Sequence, residues 1–258
     1  MSGVEAAPLG LAIGLLMGAF GGGGSLLAVP ALVYIVGQSV RDAQATSLVI
    51  VIASALVGLS AYRRDDHVRL RAGAAFGLAA GISALAGSAL NRHLDPDALL
   101  LAFTPLMLAG AFAMVSDAAR RPAQFRPWRF GISSSSAVRV TVYGLMVGWI
   151  IGLFGVGGGF VIVPVLVLGL RLSMTEAVAT SLLVVIIGSC FALAERLSAG
   201  DVDWSIALPL SLTAAVGAVA GRLLVDRIDG ESLRRAFAGG IVVAAIYTAV
   251  RSGAALLD

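Results

Sequence analysis

The chain has 258 residues, of which 59% are hydrophobic and 13% are charged, and its mean hydropathy is +0.96. The core of one soluble domain could not bury so much apolar length, so this composition excludes a soluble protein and predicts a polytopic membrane protein. All 18 basic residues are arginines that lie between apolar runs, which indicates topology signals in loops rather than nucleic-acid binding.

Eight apolar runs follow one another along the chain. They cover roughly residues 9–36, 43–62, 72–90, 98–116, 140–170, 177–194, 204–221 and 236–250. Most are near the roughly 20 residues that a helix needs to cross the hydrocarbon layer, and none carries Asp, Glu, Lys, Arg or His between its ends. Unbroken apolar runs also exclude a strand barrel. We therefore predict an all-α membrane protein in which residues 1–258 form a single membrane domain.

The first apolar run is too long for one straight span. Its residues, 9–36, would extend about 42 Å as a helix, against a hydrocarbon layer of about 30 Å. At its midpoint lie Gly21, Gly22, Gly23 and Gly24, each of which weakens a helix by about 1 kcal/mol. The sequence therefore predicts two short helices that meet at a glycine-rich break. Non-helical backbone at membrane depth is tolerated only where it is buried in protein or lines an aqueous cavity, so we expect a site there.

A second break repeats the first at a distance of 134 residues. The segment F-G-G-G-G-S begins at Phe20 and F-G-V-G-G-G begins at Phe154, and a proline follows each break, at Pro30 and Pro164. From residue 20 to residue 54, 16 of 35 positions are identical to their partners in the second half. Such self-similarity indicates a structural duplication. We predict a first repeat over residues 9–116, a polar linker over 117–139 and a second repeat over 140–250, each repeat with four apolar segments.

The orientation of the two repeats depends on whether the broken runs cross the membrane. If all eight runs cross, the repeats are parallel and the arginines divide 11 to 7 between the two sides. If the broken runs are re-entrant, each repeat has three crossings and the repeats are inverted. The side that holds residues 62–71, 117–139, 171–176 and 222–235 then carries 14 of the 18 arginines. We favour inverted repeats with both termini outside the cytoplasm, because the arginine bias, the excess length and the central glycines agree.

The glycine-rich breaks are candidate anion-binding segments. Glycine-rich turns that lead into a helix expose backbone N–H groups, and a helix N-terminus adds about half a positive charge. The candidate residues are Gly21, Gly22, Gly23, Gly24 and Ser25 in the first repeat, and Gly155, Gly157, Gly158 and Gly159 in the second. The alternative is that these glycines only allow close helix packing. A nucleotide-binding loop is disfavoured because the chain contains no lysine.

Hydroxyl side chains recur at the same place in both repeats. Thr46 and Ser47 match Thr180 and Ser181 within the segments A-Q-A-T-S-L and A-V-A-T-S-L. These hydroxyls can donate hydrogen bonds to an anion, or they can bond to a carbonyl of their own helix instead. Gln44 has no polar counterpart in the second repeat, so a contact between Gln44 and a ligand would be asymmetric.

Three of the charged residues at the borders of the apolar runs have competing interpretations. Asp42 and Glu176 occupy equivalent positions just before the two hydroxyl pairs. Each either favours the start of its helix electrostatically or enters the cavity and binds a proton. Arg222 ends an apolar run near Asp226, and we interpret it as an interfacial anchor rather than a substrate ligand.

Together these motifs resemble the TauE/SafE sulfite exporter family, a group of bacterial inner-membrane permeases. The likeness lies in the paired glycine-rich breaks, each followed by a proline and by an A-T-S-L segment, within two halves of four apolar runs. The resemblance covers nearly the whole chain. It implies a multi-pass protein of the bacterial inner membrane that transports, and commonly exports, sulfite or small organosulfur anions such as sulfonates and sulfoacetate.

Three classes of function compete for this sequence. A transporter accounts for duplicated, uncharged, glycine-broken segments. An enzyme would need a nucleophile and base, or metal ligands, inside the bilayer, where the runs hold no Asp, Glu or His. We therefore predict no enzymatic activity, no catalytic residue, no metal and no cofactor. The alternative is a membrane assembly or structural protein without transport. The expected partners are a small anionic substrate and the lipid bilayer; nucleic acid is not expected, and a homodimer is compatible with the sequence.

Overall fold

The computed structural model describes residues 7–63, 67–91, 96–120, 134–154, 159–197 and 202–255. All regular elements in these ranges are helical, which confirms the all-α prediction for this part of the chain. The α-helices are α1 (Ala7–Phe20), α2 (Ala28–Ala31), α3 (Val40–Arg63), α4 (Leu70–Asn91), α5 (Pro96–Arg120), α6 (Ser134–Phe154), α7 (Gly159–Leu168), α8 (Met174–Leu197), α9 (Trp204–Val225) and α10 (Gly230–Ala255).

Several of these helices have the length and composition of membrane spans. Within the described ranges, five stretches are long and apolar enough to cross a membrane: Ala7–Ser25, Asp42–Tyr62, Leu70–Leu90, Met174–Ala194 and Trp204–Val225. Shorter apolar helical stretches cover Thr104–Ser116, Ala137–Leu153 and Gly159–Leu168. The helices agree with the prediction of a polytopic membrane protein.

The first apolar run changes its helix type at the glycines. α1 ends at Phe20, and a 3₁₀ helix over Gly21–Leu27 follows it. The short α2 and a π-helical turn over Leu32–Val36 then lead to Gly37, whose φ of 85° is left-handed and ends the run, as glycine does at many helix ends. In the second repeat α6 ends at Phe154 and α7 begins at Gly159.

The helix limits repeat along the chain with the same period as the sequence. α3 and α8 begin at Val40 and Met174 and end at Arg63 and Leu197, so both limits are 134 residues apart. α4 and α9 are related in the same way. Residues that are 134 positions apart are called equivalent below.

Each half of the chain packs closely against the other. α1 lies along α9, where a methyl group added to Gly14 would be 1.9 Å from the carbonyl oxygen of Ala214. A methyl group added to Gly18 would be 2.1 Å from the carbonyl oxygen of Ala218. Small residues permit this backbone approach, as in other membrane helix pairs. Because the residue numbers increase together on both helices, α1 and α9 run parallel.

The equivalent helices α6 and α4 pack in the same manner. Methyl groups added to Gly148 and Gly152 would lie 2.0 and 2.1 Å from the carbonyl oxygens of Ala80 and Ala84. α6 and α4 therefore also run parallel. α3 packs against both α8 and α9, and α4 packs against α8. The two helices that carry the Thr-Ser pairs, α3 and α8, thus lie side by side.

Candidate functional site

The two glycine-rich segments touch each other. A methyl group added to Gly159 would lie 1.5 Å from the carbonyl oxygen of Gly22, and one added to Gly22 would lie 2.8 Å from the Cα atom of Gly159. Both residues are buried. A side chain at Gly159 cannot be accommodated unless the backbone moves, so the contact requires glycine there. It brings the first break against the start of α7 in the second repeat.

Hydrogen bonds to α8 fix the shape of the first break. The backbone N–H of Gly22 donates to the hydroxyl of Ser181 at 3.0 Å, and this hydroxyl donates to the carbonyl of Val178 at 2.7 Å. The hydroxyl of Ser25 donates to the carbonyl of Gly22 at 2.7 Å. Gly21 has a φ of 62°, and a methyl group added there would lie 2.3 Å from the Ser181 hydroxyl. The N–H of Gly22 is therefore already satisfied within the protein.

The other two glycines of the first break are also in close contact with side chains or backbone. A methyl group added to Gly23 would lie 2.4 Å from the ring of Phe237, and one added to Gly24 would lie 2.4 Å from the backbone nitrogen of Met17. These distances support the alternative interpretation, close packing, for Gly23 and Gly24. The expected residues Gly155, Gly157 and Gly158 lie outside the described residues.

The two threonines form equivalent hydrogen bonds between the halves. The backbone N–H of Arg69 donates to the hydroxyl of Thr180 at 3.1 Å, and the backbone N–H of Asp203 donates to the hydroxyl of Thr46 at 3.4 Å. Arg69 and Asp203 are equivalent residues, as are the two threonines. Both threonines are fully buried. Thr180 therefore fixes the residue just before α4, and Thr46 fixes the residue just before α9.

A cavity of about 250 Å³ lies beside the first break. It is bounded by α3, α4, α6, α7 and α8, and its lining is mainly apolar. Its polar lining residues are Ser25, Gln44, Ser47, Ser88 and Ser189. The structure thus brings three of the expected residues, Ser25, Gln44 and Ser47, into one cavity. The expected residues Thr46, Thr180 and Ser181 are not part of its lining, because their hydroxyls face the contacts between the repeats.

Ser88 and Ser189 line the cavity but were not expected from the sequence. Each is a serine within an apolar run, which was the available signal. Such serines commonly bond to their own helix, and the hydroxyl of Ser88 does donate to the carbonyl of Leu85 at 3.0 Å. Ser47 behaves in the same way and donates to the carbonyl of Gln44 at 2.8 Å. A hydroxyl bonded in this way still has a free lone pair, but its proton must rotate away to donate to an anion.

An ion pair joins the two halves of the chain near Thr180. The Nε–H of Arg69 donates to Oε1 of Glu176 at 3.0 Å, and a terminal guanidinium nitrogen contacts the same oxygen. The second carboxylate oxygen of Glu176 accepts from the backbone N–H of Ser173 at 3.0 Å. The N–H of Glu176 in turn donates to the Ser173 hydroxyl at 3.1 Å, which completes a capping box at the start of α8. Glu176 therefore serves both its helix and the contact between repeats.

At the start of α3 the equivalent residues form an N-cap, in which the Asp42 carboxylate binds the Ser39 hydroxyl and not the Ser39 backbone. The N–H of Asp42 donates to the hydroxyl of Ser39 at 3.2 Å, and this hydroxyl donates to the Asp42 carboxylate at 2.7 Å. Asp203 caps α9 and accepts from the backbone and hydroxyl of Ser205 at 3.0 and 2.6 Å. The Ser205 hydroxyl holds the pKa of the Asp203 carboxyl below its usual value, so this group stays charged at neutral pH.

A buried arginine stacks on a tyrosine near the end of α9. The guanidinium carbon of Arg222 lies 4.4 Å from the ring centroid of Tyr62, and Arg222 also pairs with Asp226. The hydroxyl of Tyr62 donates to the carbonyl of Gly18 at 2.9 Å. Only 4% of Arg222 is exposed, so its charge is stabilised by the aromatic face and the carboxylate of Asp226. The structure thus pairs Arg222 with Asp226, which lies near it in the sequence. Arg222 is more buried than the interfacial anchor that the sequence predicted.

The chain matches a known protein family over almost its whole length. The family described as sulfite exporter TauE/SafE matches residues 6–248. A probable membrane transporter protein of Xylella fastidiosa strain 9a5c is 33% identical over 251 residues, covering 95% of this chain and 94% of that protein. The probable membrane transporter protein YunE of Bacillus subtilis is 26% identical over 254 residues, covering 90% of this chain and 92% of that protein. No solved structure matches the chain significantly.

The matched range includes both glycine-rich breaks, both Thr-Ser pairs and every residue of the cavity lining. The family and the relatives are membrane transporters rather than enzymes. The resemblance inferred from the sequence motifs is therefore confirmed: this chain belongs to the TauE/SafE sulfite exporter family.

Proposed function

We propose that this protein exports small sulfur-containing anions, such as sulfite, sulfonates or sulfoacetate, across the inner membrane of a bacterium. The observation that carries the proposal is the contact between Gly22 and Gly159 beside a cavity lined by Ser25, Gln44 and Ser47. In a membrane transporter, irregular backbone is tolerated where it is buried in protein or lines a cavity, and substrate sites commonly lie between such broken helices.

The chemistry of the cavity suits a small anion. Its neutral donors would be the hydroxyls of Ser25, Ser47 and Ser189 and the amide of Gln44. The hydroxyls of Ser25 and Ser47 must first rotate away from the backbone carbonyls that they bind. Neutral donors replace part of the hydration shell of an oxyanion without the tight grip of a buried cation, so the anion can also leave. The N–H of Gly22 is already bound to Ser181, so we propose that backbone donors come instead from Gly155, Gly157 and Gly158, which lie outside the described residues.

The hydrogen bonds of the two threonines support inverted repeats. Thr46, near the start of α3, bonds to Asp203 just before α9, so α3 and α9 begin at the same end of the protein. Thr180, near the start of α8, bonds to Arg69 just before α4, so α8 and α4 begin at the same end. α3 has 24 residues, which extend about 36 Å, so α4 begins at the end opposite to the start of α3. The equivalent helices α3 and α8 thus start at opposite ends, as inverted repeats require.

The direction of α1 supports a re-entrant first run. α1 is parallel to α9, so it leaves the same end at which α3 begins. Residues 21–39 must then bring the chain back to that end before α3 starts. α1 ends after 14 residues at the glycines. A hairpin that turns at the glycines satisfies this constraint.

The arginines support an orientation for these inverted repeats. The end at which α4 and α8 begin, called the cytoplasmic end below, would carry 14 of the 18 arginines. The end at which α3 and α9 begin, called the outer end, would carry the remaining four and both termini. We place the protein in the bacterial inner membrane on this basis and on the family resemblance.

Anion flux in liposomes tests the proposed function. Purified protein is reconstituted, and the efflux of labelled sulfite, a sulfonate and sulfoacetate is followed under a fixed membrane potential. We expect flux of at least one of these anions above that of protein-free liposomes, and a loss of this flux in the Gly159→Ala variant. Correctly folded protein that moves none of the three anions would contradict the proposal and would favour an assembly or structural role.

A further inference from the structure

We propose that the ion pair between Arg69 and Glu176 is a latch that closes the cytoplasmic end of the transport path. We further infer that the acidic residues at the equivalent positions, Asp203 and Asp42, leave the outer end without a latch. This inference rests on the proposed function, because it concerns the path by which an anion reaches and leaves the site.

The latch connects one repeat to the other through both backbone and side chain. Arg69 lies just before α4 in the first repeat, and Glu176 lies in the first turn of α8 in the second. The Arg69 guanidinium binds the carboxylate at 3.0 Å, while the Arg69 N–H binds Thr180 at 3.1 Å. Only 8% of Glu176 is exposed, so water competes weakly with this charge-assisted bond. Opening the path between α4 and α8 at this end would require the bond to break.

The equivalent contact at the outer end cannot form an ion pair. The backbone bond is kept, since the N–H of Asp203 donates to Thr46, but it is longer at 3.4 Å. A carboxylate stands at position 203 in place of the guanidinium, and Asp42 stands in place of Glu176. Asp42 and Thr46 are four residues apart and share one helix face, so the two carboxylates are brought to the same end. Like charges repel, and each carboxylate is instead bound by a serine of its own segment, Ser39 or Ser205.

The cavity lies toward the end that lacks the latch. Its lining includes Gln44 and Ser47 from the first turns of α3, which start at the outer end. The equivalent residues Val178 and Ser181, near the latch, are completely buried. Among the described residues, the cavity therefore reaches the end that has two carboxylates, whereas the end that has the ion pair is closed by packing. An ion pair that exists only when the cytoplasmic end is closed shifts the population toward the outward-open state.

Cysteine accessibility can measure which end is open. The sequence holds one cysteine, Cys190, which is replaced by serine to give a cysteine-free parent. Ser54→Cys reports on the cytoplasmic half, because Ser54 is completely buried and is equivalent to Gly188 of the cavity lining. Ala192→Cys reports on the outer half, because Ala192 lines the cavity. The rate of reaction with a charged, water-soluble methanethiosulfonate is measured for each reporter in purified protein in detergent, without substrate.

Two independent variants should change these rates in the same direction. Glu176→Gln removes the charge but keeps a side-chain oxygen for the capping box. Asp42→Glu combined with Asp203→Arg places a copy of the latch at the outer end. In both variants we expect labelling of Ser54→Cys to rise on the order of tenfold and labelling of Ala192→Cys to fall, since a charge-assisted hydrogen bond is lost at one end or gained at the other. The matched control Glu231→Gln removes the exposed ion pair with Arg235 within α10 and should leave both rates within about twofold.

The outcomes separate the latch from the transport function. Unchanged labelling in Glu176→Gln and in the double variant, with folding verified by size-exclusion chromatography, would overturn the latch. If Glu176→Gln fails to fold, the outer-end double variant decides alone. Anion flux without a shift in labelling would reject the latch and leave the transport function intact. A shift in labelling without flux of any tested anion would support the ion pair as a latch and contradict the proposed transport function.

Discussion

Gly22 and Ser181 are 159 residues apart in the chain, yet the backbone N–H of Gly22 donates a hydrogen bond of 3.0 Å to the Ser181 hydroxyl. The same hydroxyl donates to the carbonyl of Val178 at 2.7 Å, so it cannot rotate without losing one of two buried bonds. The conformation of the glycine-rich break in the first repeat therefore depends on a side chain in the second. This dependence can be tested by removing one oxygen atom.

Ser181→Ala should destabilise the protein and impair transport. The variant leaves the buried N–H of Gly22 without its partner, which costs about 1 to 3 kcal/mol. For a chain of this size we expect the unfolding midpoint in detergent to fall by roughly 2 to 12 °C. Thermal unfolding followed by tryptophan fluorescence measures the loss, and liposome flux measures the effect on the break.

Ser211→Ala is the matched control for this serine deletion. Ser211 is also buried in a spanning helix, but its hydroxyl has no hydrogen-bond partner among the described residues. Removal of an unpaired buried hydroxyl is expected to leave the unfolding midpoint unchanged or to raise it. Equal losses in Ser181→Ala and Ser211→Ala would show that the bond to Gly22 contributes nothing specific.

Gly159→Ala should abolish transport, because its methyl group would lie 1.5 Å from the carbonyl oxygen of Gly22. The two glycine-rich segments would have to separate by more than 1 Å to relieve this overlap, since real contacts of this type exceed about 3 Å. Gly23→Leu should have the same effect, because the ring of Phe237 occupies the space beside Gly23. The measurements are membrane yield and anion flux in liposomes.

Gly239→Ala provides the control for these glycine substitutions. A methyl group at this position in α10 would meet nothing within 4 Å. Alanine is favoured over glycine within a helix by roughly 0.5 to 1 kcal/mol, so yield and flux should be kept or improved. Full transport by Gly159→Ala at normal yield would mean that the contact between the two breaks is not needed for function.

Both chain termini should lie outside the cytoplasm. This orientation follows from the proposed inverted repeats, in which the cytoplasmic end would carry most of the arginines. Alkaline phosphatase fused to either terminus should therefore be active, and a fluorescent protein in the same places should be dark. The reverse pattern at both termini would instead indicate eight crossings and parallel repeats.

Local sequence signals predicted the positions at which the helices start and break. Four consecutive glycines weaken any helix, and the structure changes from α-helix to 3₁₀ helix directly after Phe20. Asp42 and Glu176 were expected to favour the starts of their helices, and they lie in the first turns of α3 and α8. Such features depend on neighbours in the chain, so they can be read without knowledge of the tertiary contacts.

The side chains that line the cavity could not be predicted with equal success. Thr46 and Ser47 are adjacent, but one bonds to the backbone of Asp203 and the other faces the cavity. The sequence defines the angle between them on the helix and does not define which neighbouring helix covers each face. The contact between Arg69 and Glu176 was missed for the same reason, since it depends on how the two repeats are placed against each other.

Transport is expected to proceed without a proton carried by a buried side chain. The apolar runs contain no Asp, Glu or His that could take up and release a proton along the path. Among the acids beside the site, Asp42 is bound by the Ser39 hydroxyl, and Glu176 is bound by Ser173 and paired with Arg69. Protonation of Glu176 would remove the charge that Arg69 binds, so proton uptake there is opposed by the ion pair.

An anion held by neutral donors should instead move with its own charge. An inside-negative potential favours its exit by about 2.3 kcal/mol per charge per 100 mV, so export needs no counter-ion. We expect liposomes with a membrane potential and no pH gradient to support anion flux. Asp42→Asn and Glu176→Gln can alter the rate of this flux, but neither should make it dependent on a pH gradient. Negligible flux under a potential alone, restored by a pH gradient and lost in either variant, would instead identify that carboxylate as a proton carrier.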